Sequence, residues 1–239
     1  MYALALFIAL FGILSTTTEV VAQQIANDRP AGRAGINVFE VAKEDVPFEG
    51  LAVRLGGDFA LQFQGLTQDS AVDSVFANKL ANNFNLPSAN QNVDVQLAKG
   101  LRVHLRTYLS SRHHTEAYVK GGYLQIDDLD FVSEGLLSDV MQVVRVRVGM
   151  DDINYGDAHF RRSDNAQTLY NPFVGNYIMD SFTTEPFLEV SYLGRGGILA
   201  VIGATNGRLN QKPTDGDNGL VVYSKVGYDK QMNDALRVR

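Results

Sequence analysis

The strongest constraint on the fold is a stretch of strict alternation at residues 92–111, NVDVQLAKGLRVHLRTYLSS. Apolar side chains recur at every second position on both sides of Lys99-Gly100. A period of two places alternate residues on opposite faces of a β-strand. The stretch therefore predicts a β-hairpin that turns at Lys99-Gly100. One face is apolar, and the other carries Arg102, His104 and Arg106.

The same pattern returns between residues 144 and 151, where Val and Met alternate with Arg145, Arg147, a glycine and Asp151. Further alternating stretches predict about nine antiparallel strands in all, within 58–66, 93–97, 101–109, 116–127, 144–151, 184–193, 198–207, 220–229 and 235–239. Gly121-Gly122 shifts the alternation and predicts a β-bulge. The connections alternate between mostly tight turns and long loops, an asymmetry typical of an outer-membrane barrel.

Composition and the first residues indicate an exported protein. The chain of 239 residues has no Cys and a formal charge of −6, and it contains no run of basic residues that would bind nucleic acid. Residues 2–14 are apolar and too few to span a membrane, and a small-residue cleavage motif follows. We therefore expect a signal peptide at 1–22, although its usual basic start is missing. We expect a periplasmic lead-in at 23–56 and a partial barrel at 57–239.

Two stretches carry a resemblance to a known family. Residues 104–131, HLRTYLSSRHHTEAYVKGGYLQIDDLDF, and residues 146–190, which begin VRVGMDDINYGDAHFRRSDNAQ, resemble outer-membrane porins related to the phosphate-selective porin O and P group. The resemblance covers roughly a third of the chain. It implies an antiparallel transmembrane β-barrel with a water-filled lumen, a homotrimer, and passive diffusion of small hydrophilic solutes through the outer membrane of a Gram-negative-type cell.

An odd count of nine strands leaves an open edge, which is costly in a bilayer because its backbone groups have no partners. A barrel of about 16–18 strands needs on the order of 400 residues. We therefore interpret the chain as the N-terminal half of such a porin, ending in its ninth strand. An eight-stranded small barrel with a packed interior is the alternative.

If the apolar faces contact lipid, a mainly basic set of residues lines the pore: Arg102, His104, Arg106, Lys120, Arg145, Arg147 and Asp151. Rings of Arg and Lys favour anions. The alternative is a balanced wall, in which Asp127, Asp151, Asp152, Glu189 and Asp229 offset the basic residues and leave no selectivity. The sequence leaves both interpretations open.

The longest connection, residues 159–181, is a candidate constriction loop, since loops of this length in compact domains are usually functional or disordered. Its candidate residues are Arg161, Arg162, Asp164, Tyr170, Asn171 and Asp180. The alternative is an outward cap over the barrel mouth. Six aromatic residues are candidates for girdles at the membrane interfaces: Phe59, Phe63, Tyr108, Tyr123, Tyr192 and Tyr228.

Other chemistry has little support. His113-His114 has no third ligand placed, and the acidic residues at 127–130 lack the glycine and terminal Glu of a calcium loop. No catalytic triad or nucleotide-binding motif is present, so we expect neither an enzyme nor a metal or cofactor. The competing function is a secreted or periplasmic β-sandwich binding module, whose apolar faces would form an internal core.

Overall fold

The computed structural model describes residues 25–30, 32–65, 82–111, 115–154, 156, 159–160, 184–206 and 219–239. Within these ranges the protein is almost entirely antiparallel β-structure. The strands are β1 (Ala52–Ala60), β2 (Phe63–Gln64), β3 (Asn83–Phe84), β4 (Ser88–Ala98), β5 (Leu101–Ser110), β6 (Glu116–Ile126), β7 (Val144–Asp152), β8 (Thr184–Leu193), β9 (Ile198–Thr205), β10 (Val221–Tyr228), β11 (Lys230–Asn233) and β12 (Leu236–Val238). A short helix α1 (Ser138–Met141) and a 3-10 turn (Gly32–Gly35) complete the elements.

Eight strands form one sheet in the order β1-β4-β5-β6-β7-β8-β9-β10. Every neighbouring pair is antiparallel. Among the described residues, β1 pairs only with β4 and β10 only with β9, so the sheet is open. Two two-stranded sheets, β2-β3 and the hairpin β11-β12, lie outside it.

The expected all-β antiparallel class is confirmed, but two strand assignments are wrong. The first strand spans Ala52–Ala60 and not 58–66, because Val53 and Leu55 continue the alternation to the N-terminal side of Gly56-Gly57, where the strand had been expected to begin. The expected ninth strand is β12, which pairs with β11 and not with the main sheet. The residues expected to form a turn before it are the strand β11 itself, so the main sheet has eight strands.

The hairpin and bulge predictions are confirmed. β4 and β5 pair across Lys99-Gly100, where Gly100 has φ 64° and a Cβ would lie 2.3 Å from that of Asp128. A side chain at position 100 would therefore clash with the β6–β7 connection. The β5–β6 register shifts between Arg106, which pairs with Gly121, and Thr107, which pairs with Val119, so the extra residue of the bulge is Lys120, directly before the predicted glycine pair.

The connections divide by length between the two ends of the sheet. At one end, here called the turn end, lie residues 99–100, 127–143 and 194–197 together with the entry to β1. The longer connections between β1 and β4, between β7 and β8 and between β9 and β10 lie at the opposite, loop end. The expected asymmetry has two exceptions, the long connection 127–143 at the turn end and the short connection 111–115 at the loop end.

The two faces of the sheet differ in polarity. On one, the apolar face, nearly every position is aliphatic or aromatic, and residues exposed there include Val53, Leu55, Phe59, Leu97, Leu105, Leu109, Val119, Val148, Leu188, Val190, Tyr192, Ile198, Ile202, Val222, Val226 and Tyr228. Leu55 is 70% exposed and Val226 80%. The other, polar face carries buried charged and amide side chains, among them Asp94, Arg102, Gln125, Arg145 and Glu189.

The polar face is covered by the chain that precedes β1. Residues 25–49, here called the N-terminal segment, contribute no strand and contact β1, β5, β6, β7 and β10 through side chains and carbonyl groups. The described part of the expected lead-in that precedes β1 thus lies against the polar face. No helix in the described ranges is long and apolar enough to cross a bilayer.

Candidate functional site

A continuous row of interacting side chains crosses the polar face at one level. We call it the charged belt, and it consists of Arg54, Asp94, Arg102, Tyr123, Arg147, Glu189 and Tyr223, from β1, β4, β5, β6, β7, β8 and β10. The strand register produces this row. Arg54 lies opposite Asp94, and Arg147 lies between Gln125 and Glu189 on its two neighbouring strands. Residues directly opposite on one face are close enough to pair.

Asp94 is the centre of the first half of the charged belt. Its carboxylate accepts hydrogen bonds from Arg54 at 2.8 Å and from Arg102 at 3.0 Å. His104 Nδ1 lies 2.8 Å from the same carboxylate. Three side chains thus contact the buried carboxylate of Asp94. Their hydrogen bonds and charges compensate for its removal from water.

Arg102 links this cluster to β6. Its guanidinium donates to Gln125 Oε1 at 3.0 Å and to the Tyr123 hydroxyl at 3.2 Å. The guanidinium of Arg147, on β7, lies 4.0 Å from the centre of the Tyr123 ring. Stacking of this kind suits the planar, weakly hydrated arginine side chain.

Glu189 is the centre of the second half and is only 2% exposed. It accepts a hydrogen bond from the Tyr223 hydroxyl at 2.8 Å and lies 3.7 Å from Arg147. Gly203, on β9, stands directly between Glu189 and Tyr223 in the register. A Cβ at position 203 would lie 2.2 Å from the Tyr223 ring. The glycine therefore leaves room for the Tyr223 side chain to cross β9 and reach Glu189.

The loop side of the charged belt carries a second acidic cluster. Arg147 donates to Asp151 at 3.1 Å, and Arg106 lies 3.6 Å from Asp151 and 3.8 Å from Asp152. At the turn end, Arg145 donates to Asp127 at 2.8 Å. These acids therefore neutralise the arginines that alternate along β5 and β7.

The N-terminal segment lies directly on this network. Asp28 accepts hydrogen bonds from Arg54 and, at 2.9 Å, from Arg102. Glu40 accepts from Lys225 on β10 at 2.5 Å. Both outermost strands of the sheet are therefore tied to one stretch of the segment.

Burial changes the proton affinity of groups in this segment. It lowers the pKa of Arg29 to about 10, against the attraction of Tyr123 and Glu40, and it lowers the pKa of Lys43 despite the nearby Asp127. Burial alone would raise the pKa of Glu40. The attraction of Lys225 outweighs it, together with that of His159 near pH 4, the value to which burial lowers the pKa of this histidine, and the pKa of Glu40 lies below its usual 4.5. Glu40 and Lys225 therefore meet as an ion pair at neutral pH.

The structure places all seven residues expected to line the pore on the polar face. Six of them, Arg102, His104, Arg106, Arg145, Arg147 and Asp151, belong to the charged belt or to the acidic clusters beside it. Lys120 lies in the β-bulge and is buried, with its Nζ 5.6 Å from the centre of the Tyr108 ring. Of the acids expected to balance them, Asp229 instead pairs with Arg237 and Arg239 of the terminal hairpin.

Three of the six girdle candidates lie away from the apolar face, in line with the alternative that some of these aromatic residues pack inside the protein. Tyr108 and Tyr123 lie on the polar face, because the register places them opposite Asn90 and His104. Phe63 belongs to the two-stranded sheet β2-β3, where its ring lies 5.2 Å from that of Phe84. Phe59 at the loop end and Tyr192 and Tyr228 at the turn end do lie exposed on the apolar face.

The candidate constriction residues Arg161, Arg162, Asp164, Tyr170, Asn171 and Asp180, together with His113-His114 and the expected signal peptide at 1–22, lie outside the described residues.

Several site residues were not singled out from the sequence. Asp94 alternates with Val93 and Val95, so the hairpin pattern already placed it on the polar face. Tyr223 had a similar signal in β10. No pattern marks Asp28, Glu40 or Lys43, because their partners lie 26 to 185 residues away along the chain.

Searches of protein-family models, of curated proteins and of solved structures found no match to this chain. The proposed function therefore rests on the geometry of the two faces of the sheet.

Proposed function

We propose that this chain forms part of the wall of an outer-membrane pore. In this proposal the apolar face contacts lipid, and the polar face lines a water-filled passage for small hydrophilic solutes. The observation that supports it best is the reversed polarity of the sheet, with buried charge on one face and exposed aliphatic side chains on the other.

The energetics of the apolar face support a lipid partner. Removing one Val, Leu or Ile side chain from water is worth about 1.5–3 kcal/mol. More than a dozen such side chains are exposed on one continuous face, and a patch of this kind marks a surface that is covered in the functional state. Hydrocarbon covers all of them at once without requiring a complementary protein shape.

Strand length supports the same partner. The eight strands of the sheet have 8 to 11 residues. A tilted membrane strand needs about 9–11 residues to cross the hydrocarbon layer. Exposed aromatic rings at both ends of the apolar face, Phe59 at one and Tyr192 and Tyr228 at the other, suit the two interfaces.

An open sheet edge is unfavourable in hydrocarbon, so the proposal requires closure by further strands. The eight strands would be about half of a barrel of 16–18 strands, of the kind that the resemblance to porins implies. The trimer and the location in the outer membrane belong to the same proposal.

The ion pairs of the polar face favour the balanced-wall interpretation over an anion preference. Arg54 and Arg102 share Asp94, Arg145 has Asp127, and Arg147 has both Asp151 and Glu189. A wall of paired charges gives a transverse field and little net attraction for either sign of ion. We therefore expect weak selectivity.

Planar lipid bilayers test the proposal. The closed barrel, extracted with detergent, should produce stepwise conductance, and its reversal potential under a salt gradient should stay near zero. A reversal potential close to the anion limit would restore the anion-selective interpretation. Protein that stays soluble without detergent and produces no conductance steps would contradict the pore and favour a binding module.

A further inference from the structure

The N-terminal segment is a compact body in its own right. Asn27 and Glu44 exchange two hydrogen bonds, of 3.1 Å and 2.7 Å, which join the two ends of the stretch. Within it, the Arg29 guanidinium donates to the carbonyl groups of Val38 and Phe39 at 2.9 Å and 3.0 Å. The stretch from Asn27 to Glu44 is therefore a closed loop that can move as one unit.

This loop is attached to the sheet without a strand ladder. Apart from the ion pairs of Asp28 and Glu40, Gln125 donates to the carbonyl of Asn27 at 2.9 Å and Arg145 to that of Val41 at 2.8 Å. Each of these bonds uses a side chain of the polar face, so none belongs to the hydrogen-bonded ladder of the sheet. Release of the loop would leave all eight strands paired.

Lys43 anchors the loop at the turn end. Its ammonium donates to the carbonyl groups of Asp127 and Val144 at 2.7 Å and 2.6 Å and to that of Met141. The anchor lies next to the point where the chain enters β1 at Ala52, also at the turn end. A loop hinged there can leave the polar face while its attachment to β1 persists.

We propose that the N-terminal segment is a plug that occupies the passage along the polar face and leaves it when the pore opens. This inference rests on the pore proposed above and adds a closed state to it. Asp28 is the most important contact of the plug, since it pairs with both Arg54 and Arg102 of the charged belt. Glu40 holds the opposite side through Lys225.

Charge reversal of the plug contact is the first test. Asp28→Arg places a positive charge against two arginines and should raise single-channel conductance roughly twofold or more, because the plug is expelled. Asp45→Arg makes the same change of charge in the same segment at an exposed residue and should keep the wild-type conductance.

A reversible tether is the second test, and the absence of native cysteines makes it specific. Glu40→Cys with Lys225→Cys replaces both members of one ion pair and leaves the net charge unchanged. A short, reducible thiol cross-linker between them should hold conductance at the closed level, also in the Asp28→Arg background. Reduction should then raise it.

The outcomes separate the plug from the pore. If all variants conduct equally, before and after reduction, the segment is a fixed part of the wall and the plug is excluded. If neither the wild type nor any variant produces a channel when the sheet is closed by its further strands, the pore itself is wrong. If Asp28→Arg fails to fold, the cross-linked double variant Glu40→Cys/Lys225→Cys with intact Asp28 still tests the plug. Its conductance must rise on reduction, and a conductance that stays constant excludes the plug.

Discussion

The polar face and the apolar face belong to the same eight strands, yet they are stabilised in opposite ways. On the polar face, charged side chains are buried beneath the N-terminal segment, and most have a specific partner, as Asp94 has in Arg54 and Arg102. On the apolar face, Leu188 and Ile202 have no cover among the described residues and are 51% and 58% exposed. The stability of the polar face therefore depends on the geometry of its ion pairs, and that of the apolar face depends on what covers it.

This difference determines which amino-acid substitutions each face tolerates. A buried ion pair is sensitive to the loss of one partner, because the other charge stays behind without compensation. A face in hydrocarbon tolerates any apolar replacement but not a charge, and the penalty depends on depth. The two faces should therefore respond differently to matched substitutions.

The largest effect is expected on the polar face. Glu189→Gln removes the charge that Arg147 and Tyr223 share, and should lower the free energy of unfolding by about 3–5 kcal/mol. Glu185→Gln is the matched control on the same strand and face. It lies opposite Asp151, so neutralising it removes a like-charge contact and should cost nothing. Urea titration of the folded protein in detergent measures the free energy of unfolding of both variants. Equal losses would contradict the stabilising role of Glu189 in the charged belt.

A somewhat smaller effect is expected on the apolar face. Ile202→Arg, in the middle of β9, should cost about 2–4 kcal/mol when the protein folds into lipid vesicles. Ile198→Arg is four residues away at the strand end and should cost about 0–1 kcal/mol. The two isoleucines are equally exposed, at 58% and 57%. Equal penalties would show that depth has no influence and that this face does not contact a bilayer.

The smallest effect is expected at low pH, where the N-terminal segment that covers the polar face should loosen. The charge of Lys225, joined near pH 4 by that of His159, whose own pKa burial lowers to about 4, outweighs burial and holds the pKa of Glu40 below 4.5. A carboxylate with a lowered pKa stabilises the folded state above its unfolded value. The stabilisation is lost as the pH falls through the lowered pKa. An environment-sensitive dye at Asp45→Cys should report loosening of the segment only below about pH 4.5. Adding Glu40→Gln should remove that step, and a step that persists would assign the transition to other groups.

The local parts of this fold could be predicted from sequence. Alternation placed Arg102, His104 and Arg106 on one face, and Gly121-Gly122 predicted the bulge, because both depend on neighbouring residues only. The distinction between polar and apolar faces follows for the same reason. The pattern could not tell which face is covered, since a soluble sheet would show the same alternation.

The long-range parts could not be predicted. Lys225 and Glu40 are 185 residues apart, and Asp28 is 74 residues from Arg102. Nothing in a polar segment without periodicity indicates where it docks. Tyr108 and Tyr123 were candidates for the membrane girdle although the alternation places them on the polar face, because an aromatic residue suits a membrane interface and a polar network equally well.

The most direct test asks whether lipid contacts the apolar face, and the absence of Trp in the chain provides a dark background. Tyr192→Trp places one reporter on the apolar face, and Tyr223→Trp places a matched reporter on the polar face. In vesicles of lipid brominated on the acyl chains, the fluorescence at position 192 should be strongly quenched and that at 223 should not. Equal fluorescence at the two positions, with or without bromine, would contradict a lipid-facing sheet.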